Sequence, residues 1–126
     1  MLDSTEKGDI GEEAVCSYLI EKGYEIVCRN YRIRGGEIDI IAVNNDYIAF
    51  VEVKSRRYNS MVSGFDAVNK RKKELIIRTA CDFCCKYPNM LQPRFDVAQV
   101  TLENGRAVCI DYIQNAYDAA DCNYIF

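Results

Sequence analysis

Apolar residues recur with helical spacing at Ile10, Ala14, Val15, Tyr18 and Leu19, and Gly23 follows as a terminating glycine, so residues 6–22 are expected to form an amphipathic helix. Alternation over residues 24–33 reads as a strand. Gly35-Gly36 interrupts it, and residues 37–43 resume as a second strand rich in isoleucine. Asn44-Asn45-Asp46 reads as a turn, residues 47–54 as a third strand, and residues 55–64 as a polar loop. A second helix is expected from an N-cap at Asp66, through Val68, Leu75, Ile76, Thr79, Ala80 and Phe83, until Pro88 ends it. Two more strands, residues 95–102 and 107–112, flank Asn104-Gly105, a strong hairpin signal. Residues 113–126 carry no assignable pattern. The order α-β-β-β-α-β-β predicts an α/β protein with a mixed central sheet flanked by helices.

The 126 residues suit one domain, expected to span residues 1–126 with a core over about 6–113 and a tail over 114–126. No apolar run approaches the ~18 residues of a membrane span, and the first residues are acidic and polar instead of signal-like. Seven cysteines, an odd number at irregular spacing, favour reduced thiols and a cytoplasmic protein without membrane partners. Histidine is absent, which excludes Ser-His and Cys-His pairs and leaves carboxylates, Lys, Arg, Tyr or thiols to carry any chemistry.

The net charge of -3 conceals a polarity along the chain. Between Lys54 and Lys73 stand seven cations and one anion, Asp66, a local balance of +6 on an otherwise acidic body. Either a polyanion-binding surface or a solvated basic face accounts for it.

Strand alternation places Ile48, Phe50, Glu52 and Lys54 on one face of the third strand and Tyr47, Ala49, Val51 and Val53 on the other. On the second strand it groups Glu37, Asp39, Ile41 and Val43 against Ile38, Ile40 and Ala42. If Asn45-Asp46 forms a two-residue turn, Asp39 falls opposite Glu52 and Glu37 opposite Lys54. Opposed side chains have Cβ atoms ~4.5 to 5.5 Å apart, close enough for two carboxylates to share a hard cation. The alternative is a hairpin with ordinary cross-strand ion pairs. Against that alternative, apolar residues on both faces mark a pair of buried central strands, where charges are costly unless matched. On the first helix, Glu12 shares a row with Val15, Cys16 and Leu19, so it faces inward while Glu13 faces out; it serves either this cluster or the helix terminus.

An Asp on one strand, Glu-x-Lys on the next and a Glu in a preceding helix resemble the PD-(D/E)xK nuclease superfamily. Gly11-Glu12, Asn30-Tyr31-Arg32, Gly36-Glu37-Ile38-Asp39-Ile40-Ile41-Ala42, Phe50-Val51-Glu52-Val53-Lys54-Ser55-Arg56, Lys70 and Arg94-Phe95-Asp96-Val97 together resemble the YraN-like predicted endonucleases over roughly residues 8 to 117. That group in turn is similar to archaeal Holliday-junction resolvases. Ile38 stands where the superfamily pattern has Pro.

The resemblance implies a restriction-endonuclease-like fold and Mg²⁺- or Mn²⁺-dependent hydrolysis of DNA, branched or junction DNA included, in repair or recombination. It implies catalytic roles for Glu12, Asp39, Glu52 and Lys54, cation ligation by Asp39, Glu52 and the Val53 carbonyl, and a supporting role for Glu37, for which a surface ion pair with Lys54 or Arg56 is the alternative. Arg32, Arg56, Arg57, Lys70, Arg71 and Lys73 are the expected nucleic-acid contacts. Tyr31, Tyr58 and Phe65 stack either on unpaired bases or in the core.

Cys81, Cys84 and Cys85 share one helix face, but lacking a fourth ligand they read as small apolar residues, and no zinc is expected. A different class remains open, a non-catalytic nucleic-acid-binding module on a nuclease fold. Cutting a two-fold junction would call for a homodimer, for which the apolar tail residues Tyr117, Tyr124, Ile125 and Phe126 are candidates; packing on their own domain accounts for them equally.

Overall fold

Seven elements follow one another in the expected order: α1 (Ser4–Glu21), β1 (Glu25–Ile33), β2 (Gly36–Val43), β3 (Tyr47–Arg57), α2 (Lys70–Lys86), β4 (Gln92–Glu103) and β5 (Arg106–Tyr117). The computed structural model describes residues 4–58 and 70–119. Helix α1 closes on Gly23 at φ 92°, with Tyr24 N–H donating to the Leu19 carbonyl at 2.9 Å and Gly23 N–H to that of Ile20 at 3.0 Å, which satisfies two terminal carbonyls. None of the described helices is long and apolar enough to cross a membrane.

The five strands form one mixed sheet in sequential order. Neighbours are antiparallel except β3 and β4, which run parallel and are joined through α2. Helix α2 covers one face, where Ile76, Ile77, Ala80 and Phe83 meet Ile41, Ile48, Phe50, Phe95 and Val97. On the other, Val15, Cys16 and Leu19 of α1 pack on Ile40, Ala42, Ala49, Val51, Ala98 and Val100. Strands β2 and β3 are therefore buried on both sides, and each fully covered Ile, Leu or Phe contributes ~1.5 to 3 kcal/mol.

The strands run further than local polarity suggests. Ser55–Arg57 belongs to β3 and not to a loop, because Ser55, Arg56 and Arg57 pair with Val100, Thr101 and Leu102 of β4. Strand β5 likewise continues past residue 112 to Tyr117, which pairs with Phe95 and stacks on its ring at 5.4 Å. Asn115, at φ 53°, takes up the register shift that this requires. At the tight end of the same hairpin, Asn104 and Gly105 adopt φ 53° and 75°, as a two-residue turn between Glu103 and Arg106 demands. The expected N-cap Asp66, with Val68, lies outside the described residues.

One departure concerns the pleat. Ile38 packs with Ile41 on the α2 side, and opposite them Tyr31 and Cys28 do the same, although residues three apart should face opposite ways. Asn30, at φ 55° between Cys28 and Tyr31, breaks the alternation at the level of Asp39. The expected grouping of Ile38 with Ile40 is thereby overturned.

A candidate acidic and basic pocket

Asn44 N–H donates to the Tyr47 carbonyl at 3.0 Å, and the Asn44 side chain accepts from Asp46 N–H at 3.0 Å and Tyr47 N–H at 2.7 Å. This turn sets the register that pairs Val43 with Ile48 and continues to Ile40 with Val51. Asp39 and Glu52 occupy the next step. There Asp39 Oδ2 accepts the Val53 N–H at 2.8 Å, so a side chain satisfies a strand donor beyond the end of the ladder. Burial, reinforced by the negative charge of Glu52, pushes the Asp39 carboxyl up to about 7 against the opposing effect of the Val53 N–H, with Glu12 and Glu37 adding to the rise.

Glu52 is 8% exposed. Its Oε1 lies 2.7 Å from Lys72 Nζ and 3.3 Å from Lys54 Nζ. Burial, with Lys72 alongside, lowers the Lys54 pKa; burial is also the largest single influence on Lys72, but the hydrogen bonds to Glu52 and Lys54 and the negative charges of Glu52 and Asp39 together exceed it and raise its pKa. Two cations on one carboxylate oxygen are what make its burial tolerable.

Two glycines bring the helices close enough to supply these groups. A Cβ on Gly36 would lie 2.1 Å from Thr79 Oγ1 and 3.3 Å from the Leu75 carbonyl oxygen, so α2 rests directly on the start of β2. A Cβ on Gly11 would lie 2.0 Å from Ser55 Oγ, so α1 crosses β3 just beyond Lys54. Glu12, its side chain 13% exposed, thereby points inward and pairs with Arg29 at 3.5 Å, while Glu13 stays exposed and takes Arg29 at 2.9 Å. Between β2, β3 and α2 opens a cleft of about 210 Å³, lined by Gly35, Gly36, Glu37, Asp39, Glu52, Lys72, Leu75 and Ile76.

The structure thus brings Asp39, Glu52, Val53 and Lys54 together, with Glu12 near enough to be felt by Asp39. Val53 meets Asp39 through its N–H. Glu37 lines the cleft but pairs across the strands with Arg32, instead of the expected Lys54 or Arg56, because β1 is its ladder partner there. Of the other cations, Arg57, Lys70 and Arg71 are exposed and Arg56 is half-buried. Lys73 sits over the Tyr117 ring, 5.3 Å from its centroid. Tyr31 donates to Asp82 and packs edge-on against Phe83, so it belongs to the core, whereas Tyr58 is exposed at the end of β3 and Phe65 lies outside the described residues.

Lys72 is the residue that charge counting misses, since it treats residues 70–73 as a single block. Helical phase separates them: Lys72, Leu75, Ile76 and Thr79, at i, i+3, i+4 and i+7, form the face that meets the sheet.

Arg94 and Asp96 have a different place. Both are buried on β4, bonded to each other at 2.9 to 3.1 Å. Asp96 also accepts from Tyr112 and from the Asn115 N–H at 2.9 Å, and Arg94 donates to Tyr24. This network ties the irregular end of β5 to β4 and to Tyr24, just before β1.

The donor chemistry of the cleft fits a hard divalent cation. Asp39 and Glu52 provide oxygen alone, and the burial that holds the Asp39 carboxyl up, reinforced by the charge of Glu52, is an effect that a cation between them would relieve. Among the described residues no group of three or more His, Cys, Asp or Glu side chains could hold a metal, so a cation here would complete its coordination with backbone, water or phosphate oxygen. Cys81 and Cys84 carry free thiols packed at the edge of the α2-side core.

The profile described as "Uncharacterised protein family UPF0102" matches residues 11–100. A UPF0102 protein of Trichlorobacter lovleyi is 44% identical over 119 residues, covering 90% of this chain and 91% of the relative. One from Clostridioides difficile is 41% identical over 117 residues, covering 92% and 100%. Another, from Clostridium acetobutylicum, is 44% identical over 112 residues, covering 87% and 92%.

Proposed function

The chain belongs to the uncharacterised protein family UPF0102, and from the cleft it carries we propose that it is a divalent-cation-dependent nuclease of the PD-(D/E)xK kind, hydrolysing phosphodiester bonds of DNA. The observation that carries this reading is the meeting of Asp39 and Glu52, from adjacent strands, in an open cleft, with the Lys54 ammonium 3.3 Å from Glu52.

Asp39 and Glu52 would hold Mg²⁺ or Mn²⁺, with the Val53 backbone alongside. Such a cation supplies Lewis-acid polarisation of the phosphodiester and lowers the pKa of water. Asp39 is fixed for this role by the Val53 N–H, which leaves its other oxygen to the cleft. Lys54, less basic than a solvated lysine, is suited to orient the attacking water and to offset the negative charge that grows on the phosphate in the transition state. Glu12 adds negative potential from the α1 side and orients water there. The exposed Arg57, Lys70 and Arg71 hold the backbone of the substrate through phosphates, without sequence preference. Substrates with branches, such as flaps and four-way junctions, are the favoured class on the resemblance to junction resolvases.

The test is cleavage of a labelled panel (duplex, single strand, flap, four-way junction and an RNA control) in Mg²⁺ or Mn²⁺. Wild type is expected to cut at least one DNA, and Glu52→Ala and Lys54→Ala to lose the activity by on the order of 100-fold or more. Binding without cutting in either metal would replace the nuclease by a nucleic-acid-binding module.

A further inference from the structure

The acids of the fold sort its cations. Arg29, Arg32, Lys54, Lys72, Lys86 and Arg94 each hold a carboxylate. Arg34 and Arg78 are exposed and, among the described residues, take no acid partner. Both lie outside the basic block of residues 54–73, and the fold brings them to one place. Ile33 pairs with Gly36, so Arg34 and Gly35 are the two residues of the β1–β2 turn, where Gly35 adopts φ 84°. A Cβ on Gly35 would touch Arg78 Nη2, at 3.4 Å, so the Arg78 guanidinium rests on that turn. Gly35 and Gly36 line one wall of the acidic cleft and Leu75 another, and Arg71, Leu75 and Arg78, at i, i+4 and i+7, form one row along α2. Neighbouring acids leave this rim unneutralised: Glu37 pairs with Arg32, Asp82 with Lys86, and Glu74, one turn before Arg78, with none of the described cations.

We propose that Arg34 and Arg78 form a phosphate-binding rim over which a nucleic-acid strand leaves the cleft. Their guanidinium groups offer forked N–H donors to phosphate oxygens, and the turn beneath Arg78 is glycine, so the backbone of a strand can come close. Arg78 lies six residues beyond Lys72, the residue that reaches Glu52, a rise of roughly 9 Å along α2. At about 3.4 Å per nucleotide, the rim meets a phosphate about two to three nucleotides from the one seated at Asp39 and Glu52. The proposal rests on the reading above that a strand is held at Asp39 and Glu52, but it does not need that strand to be cut. If the two arginines were only solvated charges, removing either would matter no more than removing a cation elsewhere on the surface.

The experiment uses the full chain as wild type, Arg34→Ala, Arg78→Ala, the double variant, Arg78→Lys and Lys22→Ala, with folding checked by thermal melts. Lys22 is the control, an exposed cation at the far end of β2 from the cleft, near where Glu25 pairs with Val43. Binding of a labelled DNA duplex and a labelled four-way junction is followed by fluorescence anisotropy in Ca²⁺ from low to physiological salt, and cleavage of both in Mg²⁺ and Mn²⁺. Arg34→Ala and Arg78→Ala are each expected to bind about fivefold more weakly at low salt and to lower the slope of log affinity against log salt by about one, and the double variant by about two. Lys22→Ala is expected to stay within about twofold of wild type, and Arg78→Lys to keep most of its affinity. The rim is overturned if Arg34→Ala and Arg78→Ala match Lys22→Ala in affinity and slope, or if wild type binds neither DNA. A wild type that cuts, with those variants behaving as Lys22→Ala does, would remove the rim and leave the nuclease. A wild type that cuts nothing, with the expected losses in the variants, would remove the nuclease and leave the rim.

Discussion

Asp39 Oδ2 accepts the backbone N–H of Val53 at 2.8 Å, one residue past Glu52. The bond anchors an acid at the point where the β2–β3 ladder ends, and it keeps that acid beside a second one in spite of their mutual repulsion. The cleft is therefore poised by charge, and its stability should follow its protonation.

In the folded chain Asp39 is pushed up to about 7, against ~3.9 for an unfolded Asp, so the native state holds its proton more tightly. The favourable contribution is complete below the unfolded value and is lost as pH rises through about 7. With EDTA present, Asp39→Asn should gain on the order of 2 kcal/mol over wild type at pH 8.5, and less at pH 5.5. Thermal melts at the two values check this. A wild-type protein whose advantage over Asp39→Asn grew with pH would contradict it.

Gly36→Ala should destabilise by ~1 to 3 kcal/mol, because the new methyl group meets Thr79 Oγ1 and cannot be relieved through the Leu75 carbonyl. Adding Thr79→Ala should recover part of the loss, since it removes the atom at 2.1 Å. Urea denaturation of the two single variants and the double variant reads the coupling, and strictly additive costs would show that α2 does not rest on Gly36.

Asp96→Ala should cost ~3 to 5 kcal/mol, leaving Arg94 buried without its counter-ion. Tyr112→Phe, which removes one donor to the same carboxylate, should cost ~1 to 2 kcal/mol. Neither residue lines the cleft, so at temperatures where the variants stay folded Mn²⁺ binding should be unaltered. Loss of Mn²⁺ binding by folded Tyr112→Phe would mean that the network reaches the site.

Arg57→Ala, Lys70→Ala and Arg71→Ala remove exposed cations and should each weaken DNA binding on all sequences alike, lowering the slope of log affinity against log salt by about one. Anisotropy titrations from low to physiological salt measure that slope. Lys73→Ala should act more weakly on the slope, because its ammonium already lies over Tyr117.

What was readable from residues alone was whatever depends on neighbours in the chain. Helical spacing from Ile10 to Leu19 and the glycine after it located α1, and Asn104-Gly105 located the last hairpin. A two-residue turn at Asn45-Asp46 carried the register as far as Ile40 and Val51, and with it the approach of Asp39 to Glu52. These are local quantities, since alternation and turn length propagate along a hairpin without help from elsewhere. The lengths of β3 and β5 were not readable: Ser55–Arg57 look like loop residues until β4 supplies their partners. Nor was the turn of the pleat at Asn30 readable: β1 also carries a register shift between Ile26 and Cys28, and neither irregularity follows from alternation along the strand.

By itself, then, the sequence determined the order of elements, the two-sided burial of the central strands and the pairing that sets two acids and Lys54 side by side. The tertiary structure decided which further cation joins them. Lys72 reaches Glu52, while Lys70 and Arg71 face solvent and Lys73 covers Tyr117, because the phase of α2 on the sheet is set by the contact of Gly36 with Thr79. That contact joins residues far apart in the chain: the apolar periodicity of α2 puts Lys72 on its sheet-facing side, but only the packing of Thr79 on Gly36 brings that side to Glu52.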